Sequence, residues 1–356
     1  MPDPDDVSGK RGPLHLEPAI TALHSLEGND GIFSFEIGFH EGKIAYFVRA
    51  TKRAAPLVES QLYGQFPDID IEHLDPTALD PKPDETMTAV DLVFRRHEIF
   101  PIKRHPEFDD LLARQTVDTM AGITSALVRY PHAGMRGHIQ ILFYPVRSSF
   151  RKRVLKFLPL MEKGLSKAFG WYAKLFATVH LARGWRRLAY FPLNVLMGGY
   201  RVWFHILPSS SSSTSEPEMN THEETLKGGR RSHETEDPIS AAIDKVSRLC
   251  FGSNIRMYVV APKGQKFAAH HKMEEIFGSY KQFTLPSCNS FDIRRWYEPS
   301  RISMDFRMYP YILSVEELAT LWHFPNTLVK TPNIDWVVSR SEEHTSELQS
   351  RFGISY

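Results

Sequence analysis

Lys156, Lys163, Lys167 and Lys174 fall within about 20° of one line when residues 151–179 are wound at 100° per residue. Leu158, Met161, Leu165, Phe169, Tyr172, Phe176 and Val179 gather along the opposite line. A helix of this kind can lie on an anionic lipid surface, its apolar face in the acyl boundary and its lysines among the headgroups. The continuation Trp185-Arg186-Arg187 adds charge and an interfacial aromatic, so Lys156, Lys163, Lys167, Lys174, Arg186, Arg187, Phe169, Trp171 and Trp185 form the candidate set for surface contacts. Two other chemistries fit the same pattern. The helix could pack its apolar face on its own domain with the lysines in water, or the basic stripe and its aromatics could track phosphates and stack bases.

Other sites of chemistry are sparse. There is no Gly-x4-Gly-Lys-Ser/Thr loop, no Gly-x-Gly-x-x-Gly, no Gly-x-Ser-x-Gly and no His-Glu-x-x-His. Without a glycine loop to cradle phosphates, hydrolysis of ATP by these residues alone is not expected, and no catalytic, cofactor-binding or metal-ligating residue is assigned. His270-His271 is the densest histidine spot, but neighbours on a helix point about 100° apart and no further ligand stands at a useful spacing. Glu274-Glu275 reads as a solvated charged face. Cys250 and Cys288 are too few for a disulfide scaffold or a four-thiolate zinc site, which fits a reducing compartment. With 43 Lys+Arg against 42 Asp+Glu, any preference for a polyanion must come from where the charges sit. They are segregated: residues 151–207 hold eleven bases and one acid, Glu162.

These features hang on elements legible from periodicity. Phe33, Phe35 and Ile37, a turn at Glu41-Gly42-Lys43, then Ile44, Tyr46 and Val48 predict a hairpin. Helices are predicted over 52–66 and about 107–130, and strands over 69–73, 86–95 and 138–146. The chain from Leu188 to Tyr200 is free of charge but too short to span a bilayer. Pro208 to Pro238 is Ser-rich and then acidic, with almost no apolar residues, and reads as a disordered linker. Beyond it come a helix from Ile239, a strand over 255–260, a helix over 267–280, a strand over 304–313 and a helix whose Ser314-Val-Glu-Glu317 has the spacing of a capping box. The alternation predicts an α+β fold of ferredoxin-like type, an antiparallel sheet with helices on one face. The divisions are a flexible N-terminus over 1–30, a first α+β part over 31–150, the basic aromatic insertion over 151–207, the linker over 208–238, and a second α+β part over 239–339. No secretory signal is predicted at the N-terminus.

The last seventeen residues stand apart. Arg340 to Ser350 and Ile354 to Tyr356 resemble one translated frame of a common short-read sequencing adapter, with Arg351, Phe352 and Gly353 at the index position. Residues 340–356 therefore read as adapter-derived, and the natural chain is expected to continue past Ser339.

The run Leu313-Ser-Val-Glu-Glu-Leu-Ala-Thr-Leu-Trp-His-Phe-Pro325, followed by Val329-Lys-Thr-Pro-Asn-Ile-Asp-Trp336, resembles the segment that precedes the motor domain of bacterial type IV secretion and conjugative-transfer ATPases. Phe35-Glu-Ile37, Gln61-Leu-Tyr-Gly-Gln-Phe-Pro67, Phe100-Pro-Ile102, His138-Ile-Gln-Ile141 with Pro145-Val146, and Gln282-Phe283 with Asn289-Ser-Phe291 look like other blocks of that family, in order. The resemblance implies a non-catalytic, membrane-facing region at the inner face of the cell membrane. ATP and Mg would be bound only in a following domain, and the partners would be channel proteins, that ATPase domain and further copies of the chain. The insertion over 151–238 has no counterpart block, so membrane attachment rests on its physics. Rival expectations are a stand-alone peripheral-membrane adaptor that binds protein and, third, a nucleic-acid-binding module.

Overall fold

The computed structural model describes residues 12–40, 43–67, 69–75, 77–108, 118–129, 134–146, 150–152, 154–155, 238–306 and 310–325, with the backbone of two strands at 336–340 and 346–355. The nine candidate surface residues from Lys156 to Arg187 lie outside them, as does the linker up to residue 237.

The fold is α+β, built on one large and mostly antiparallel sheet. The predicted hairpin forms as β1 (Phe33–His40) and β2 (Lys43–Arg49), in a register that sets Phe35 opposite Val48 and Ile37 opposite Tyr46. β3 (Asp70–Leu74), β4 (Glu85–Phe94) and β5 (Arg136–Pro145) follow the expected alternation. β6 (Cys250–Pro262) is longer than its apolar run and pairs with β5 over ten positions. β7 (Phe291–Tyr297) was not expected: its Asp292, Arg294 and Arg295 break the apolar pattern, as suits an exposed edge. β8 (Tyr311–Ser314) occupies only the end of the strand predicted over 304–313. With β9 (Trp336–Arg340) and β10 (Ser346–Ser355), the strand order is β3-β10-β2-β1-β5-β6-β4-β7, β8 pairing with β6 and β9 with β10.

The two faces differ. On one, alternate residues of β1, β2, β5 and β6 meet α1 (Pro13–Leu23), α2 (Ala55–Gln65), α3 (Thr119–Val128), α5 (Lys266–Ser279) and α6 (Val315–Leu321) in the main core. α4 (Pro238–Ser247) packs Ala242 and Val246 on Phe150, Val154, Ile99 and Ile312 in a smaller cluster. The opposite face carries Phe47, Met87, Ala89, Tyr258 and Val260 under Leu79 and Ile302, which come from connecting loops. Among the described residues no helix is long and apolar enough to cross a membrane.

Two expectations are corrected. Residues 1–30 are not a flexible arm throughout: α1 starts with Pro13 in its first turn and buries Leu16, Ala19, Ile20 and Leu23, a spacing of three and four against α2 and α6. Of the helix predicted over 107–130, only Thr119–Val128 is helical among the described residues. Asp118 caps it by accepting from the Met120 amide at 2.8 Å. The adapter-like tail contributes β10, which pairs parallel to β2 and to β3. Main-chain pairing tolerates many sequences, which lets this segment serve.

Phe150 and Val154, entering the insertion, pack against Ala242 and Val246, leaving it. The insertion thus departs and returns at one point. A protease cut at Arg230-Arg231 is expected to give two fragments that co-elute in gel filtration, because β5 and β6 hold them edge to edge. Separation into two species without denaturant would show that the halves are independent.

Candidate functional site

Five residues on five adjacent strands form one register row on the sheet face opposite the main core. Glu36 lies opposite Gln140, Gln140 opposite Arg256, Arg256 opposite Asp91, and Asp91 opposite Arg295. Strand alternation puts them all on one side, and the first four are almost wholly inaccessible to water. The loops bearing Leu79 and Ile302 roof this face, tied together where Asp80 accepts from the Ile302 amide at 2.9 Å.

Glu36 is the best-furnished member. Its carboxylate accepts from Ser34 Oγ at 2.8 Å, His138 Nε2 at 2.7 Å and Gln140 Nε2 at 2.8 Å, and pairs with Arg49 Nε at 3.0 Å. Burial alone would raise its pKa. The Arg49 charge and the His138 and Gln140 bonds outweigh that and hold the carboxyl at about 2, against an ordinary 4.5. Gly38 makes the arrangement possible: a Cβ there would collide with the His138 ring. Further along, Tyr258 donates to Gln140 Oε1 at 3.0 Å, and Arg256 donates to the carbonyls of Ser303 (3.1 Å) and Asp305. Asp91 accepts from Tyr297 and from Arg295 at 3.1 Å.

A second polar knot joins α4, α6 and the chain at 100–107. Lys245 and Glu317, both fully buried, pair at 3.0 Å, and Glu317 also accepts from the Ile102 amide at 3.0 Å. Glu317 completes the predicted capping box, accepting from the Ser314 amide at 2.8 Å while Ser314 Oγ accepts from its own amide at 3.2 Å. Arg104 bridges Glu107, Asp244 and Glu316. Burial raises the Glu316 pKa even though Arg104 and Arg248 stand beside it.

Charge pairing within the molecule holds both constellations together, and the Ser34 hydroxyl donates into the row. Its carboxylates are committed to arginine, histidine and amide partners inside a roofed face, which fixes strands and their register. Glu17, His105 and Glu316 bring ligand atoms within 4.8 Å of one another, and these atoms already have partners. Arg104 and Arg248 already lie 3.2 and 3.1 Å from Glu316, and His105 Nε2 lies 2.8 Å from Glu17. His270 stacks on Trp296 at 4.4 Å, while exposed His271 faces Glu274 at 3.9 Å. Glu275 pairs with Lys272 at 2.9 Å, and both Glu274 and Glu275 lie on an exposed helix face. Sequence reasoning missed the row, whose trace is one polar residue at a core-spaced position in each strand.

Glu36→Gln leaves Arg49 buried without its counter-charge and is expected to cost about 3–5 kcal/mol. Since the folded pKa is depressed, the Glu36 contribution is complete above pH 4.5 and is lost as pH falls towards about 2. Urea unfolding of wild type and variant at pH 7 and pH 2.5 checks both: the gap between them should be wide at pH 7 and narrow by roughly 3 kcal/mol in acid. Gly38→Ala should displace His138 and cost about 1–3 kcal/mol in the same assay.

No curated protein and no solved structure matches the chain. One family model does, over residues 17–337. That span takes in the row, the capping box and both sides of the insertion, and the chain belongs to the family described as Domain of unknown function (DUF8128).

Proposed function

We propose that this chain is the non-catalytic α+β region of a membrane-associated type IV secretion or conjugation ATPase, docking the motor to the membrane surface or to its channel proteins. The observation that carries the reading is where the resemblance blocks meet. Trp322, from the Leu-Trp-His-Phe-Pro run, stacks on Phe35 at 4.3 Å and donates its indole N–H to the Glu36 carbonyl at 2.8 Å. His138 and Gln140 hold the Glu36 carboxylate, Gln282 donates to the Thr119 carbonyl at 3.1 Å, and Asn289 donates to the carbonyls of His97 and Phe100. Blocks spread over some three hundred residues are thus joints of a single scaffold, the part such a motor needs for placement and not for chemistry. In this reading ATP and Mg belong to a separate motor domain, and full-length copies assemble into a homo-oligomer.

The insertion supplies the membrane contact. It hangs from the Phe150–Val154 and α4 stem, and its lysine line with Phe169, Trp171 and Trp185 suits an anionic surface.

Two measurements test the proposal. The protein is expected to float with vesicles containing anionic lipid and not with neutral ones, and the combined change of Lys156, Lys163, Lys167 and Lys174 to Glu should abolish flotation. In the source genome, an in-frame Gly-x4-Gly-Lys-Ser/Thr is expected downstream of codon 339. A stop codon at that point would end the motor reading and leave a membrane-bound adaptor.

A further inference from the structure

Phe150 and Val154 carry the chain into the insertion and α4 brings it back, and the small cluster they share also takes in Ile99, Cys250 and Ile312. This cluster closes one end of the sheet. β4 stops at Phe94, β5 stops at Pro145 opposite Phe251, and β6 starts beside them at Cys250.

The rim of the cluster is apolar where it meets water. Leu155 follows buried Val154, Ile243 follows buried Ala242 and Leu249 precedes buried Cys250, yet these three side chains are 38%, 45% and 38% exposed. They are half of the six large hydrophobic side chains that are exposed among the described residues. Single exposed hydrophobes need no explanation, whereas a gathered set rimmed by charge marks a contact surface.

The charge around them is basic. Exposed Arg95 and Arg96 stand ahead of Ile99, exposed Arg151 and Lys152 follow Phe150, and half-buried Arg248 lies one residue before Leu249. The acids at this end are Glu98, which accepts from the Ile312 amide at 3.2 Å, and Asp244, which pairs with Arg104 and Arg248. Five bases thus stand against two acids that are engaged within the fold. This charge decides what covers the patch. Of the eleven bases over 151–207, nine lie beyond Lys152, against one acid, so folding the insertion back would press like charges together. The linker up to residue 237 is acidic but has almost no apolar residues to lay on the patch. An anionic lipid surface accepts the basic rim, the apolar patch and the insertion together.

We propose that this end of the sheet is itself a lipid-contact surface: Leu155, Ile243 and Leu249 enter the headgroup layer of an anionic membrane, the surrounding bases meet its phosphates, and the sheet stands end-on to the bilayer. This rests on the membrane reading of the insertion and extends the contact to the folded body.

Cys250 and Cys288 are buried, so a cysteine placed at position 243 can be labelled selectively with an environment-sensitive dye. Full chains labelled at Ile243→Cys are compared with chains labelled at Phe267→Cys, a 91% exposed position that follows the far end of β6. With phosphatidylcholine vesicles containing phosphatidylserine, the dye at 243 should shift to shorter wavelength and be quenched by nitroxide-bearing lipid, while the dye at 267 stays unmoved. The unlabelled double variant Ile243→Asp, Leu249→Asp should float with these vesicles at least about tenfold more weakly than wild type. A chain that floats while the dye at 243 stays unmoved would overturn the proposal and leave the insertion as the lipid contact. So would a dye at 243 shielded before lipid is added, by the insertion if shielding is independent of protein concentration and by a second copy if it grows with it. A chain that does not float at all would overturn the membrane reading as well.

Discussion

A carboxylate buried at the middle of β1 sets the terms for the rest of this fold. Glu36 can be taken from water only if its charge is matched and its oxygens are filled, and no single neighbouring strand offers enough. Its partners arrive from Ser34 beside it, Arg49 on β2, and His138 and Gln140 on β5. Its own carbonyl is taken by Trp322, nearly three hundred residues later. A one-residue slip of β1 would turn Glu36 into the apolar face with Phe33, Phe35 and Ile37 exchanged to the other side, so one side chain excludes the neighbouring registers. The row onward through Arg256 and Asp91 carries the same constraint to β6, β4 and β7.

The face opposite the main core is therefore not a second core in the ordinary sense. It mixes Phe47, Met87, Tyr258 and Val260 with a line of alternating charge, and loops that bond to the row itself roof it: the Ser303 and Asp305 carbonyls accept from Arg256. The carboxylate, amide and guanidinium groups of the row are engaged in holding strands together. A segment inserted between β5 and β6 disturbs neither strand, since they pair along their length regardless of what joins them.

Much of the strand pattern is legible in the sequence, because alternation is a local property. Phe35-Glu36-Ile37 already assigns Glu36 to the face away from the apolar pair, and Met87, Ala89 and Asp91 already share a side. What the sequence does not display is that this polar side is also closed. That follows from loops far along the chain, and hydropathy alone reads a strand with one polar face as half solvated. The Ser314–Glu317 capping box is readable for the same local reason, yet its buried Lys245 partner is not, since Lys245 stands after eighty-odd residues of insertion and linker. α1 is concealed by its polar residues and by Pro18, although its buried positions keep helical spacing. β7 hides behind Arg294 and Arg295, whose charges mark an edge but erase the apolar signal. The candidate surface residues from Lys156 to Arg187 remain readable only as a pattern.

The edges bear on what the scaffold is for. β7, at one end, carries exposed Asp292, Arg294 and Arg295, and β3, at the other, is short and acidic; both are edges protected against pairing. β2 has none of these protections. It is seven residues long, buried over most of its length, and lined by Tyr46, Val48 and the Phe66–Phe324 pair. A strand of that composition left open would recruit whatever strand it met, and a polar, adapter-like segment has been drawn into the place. Protection at the two edges and its absence at β2 match what lies beside each strand: β3 and β7 end the sheet, whereas β2 has a neighbour on either side. The row beside β2, fixed through Arg49 and Glu36, holds that strand in register.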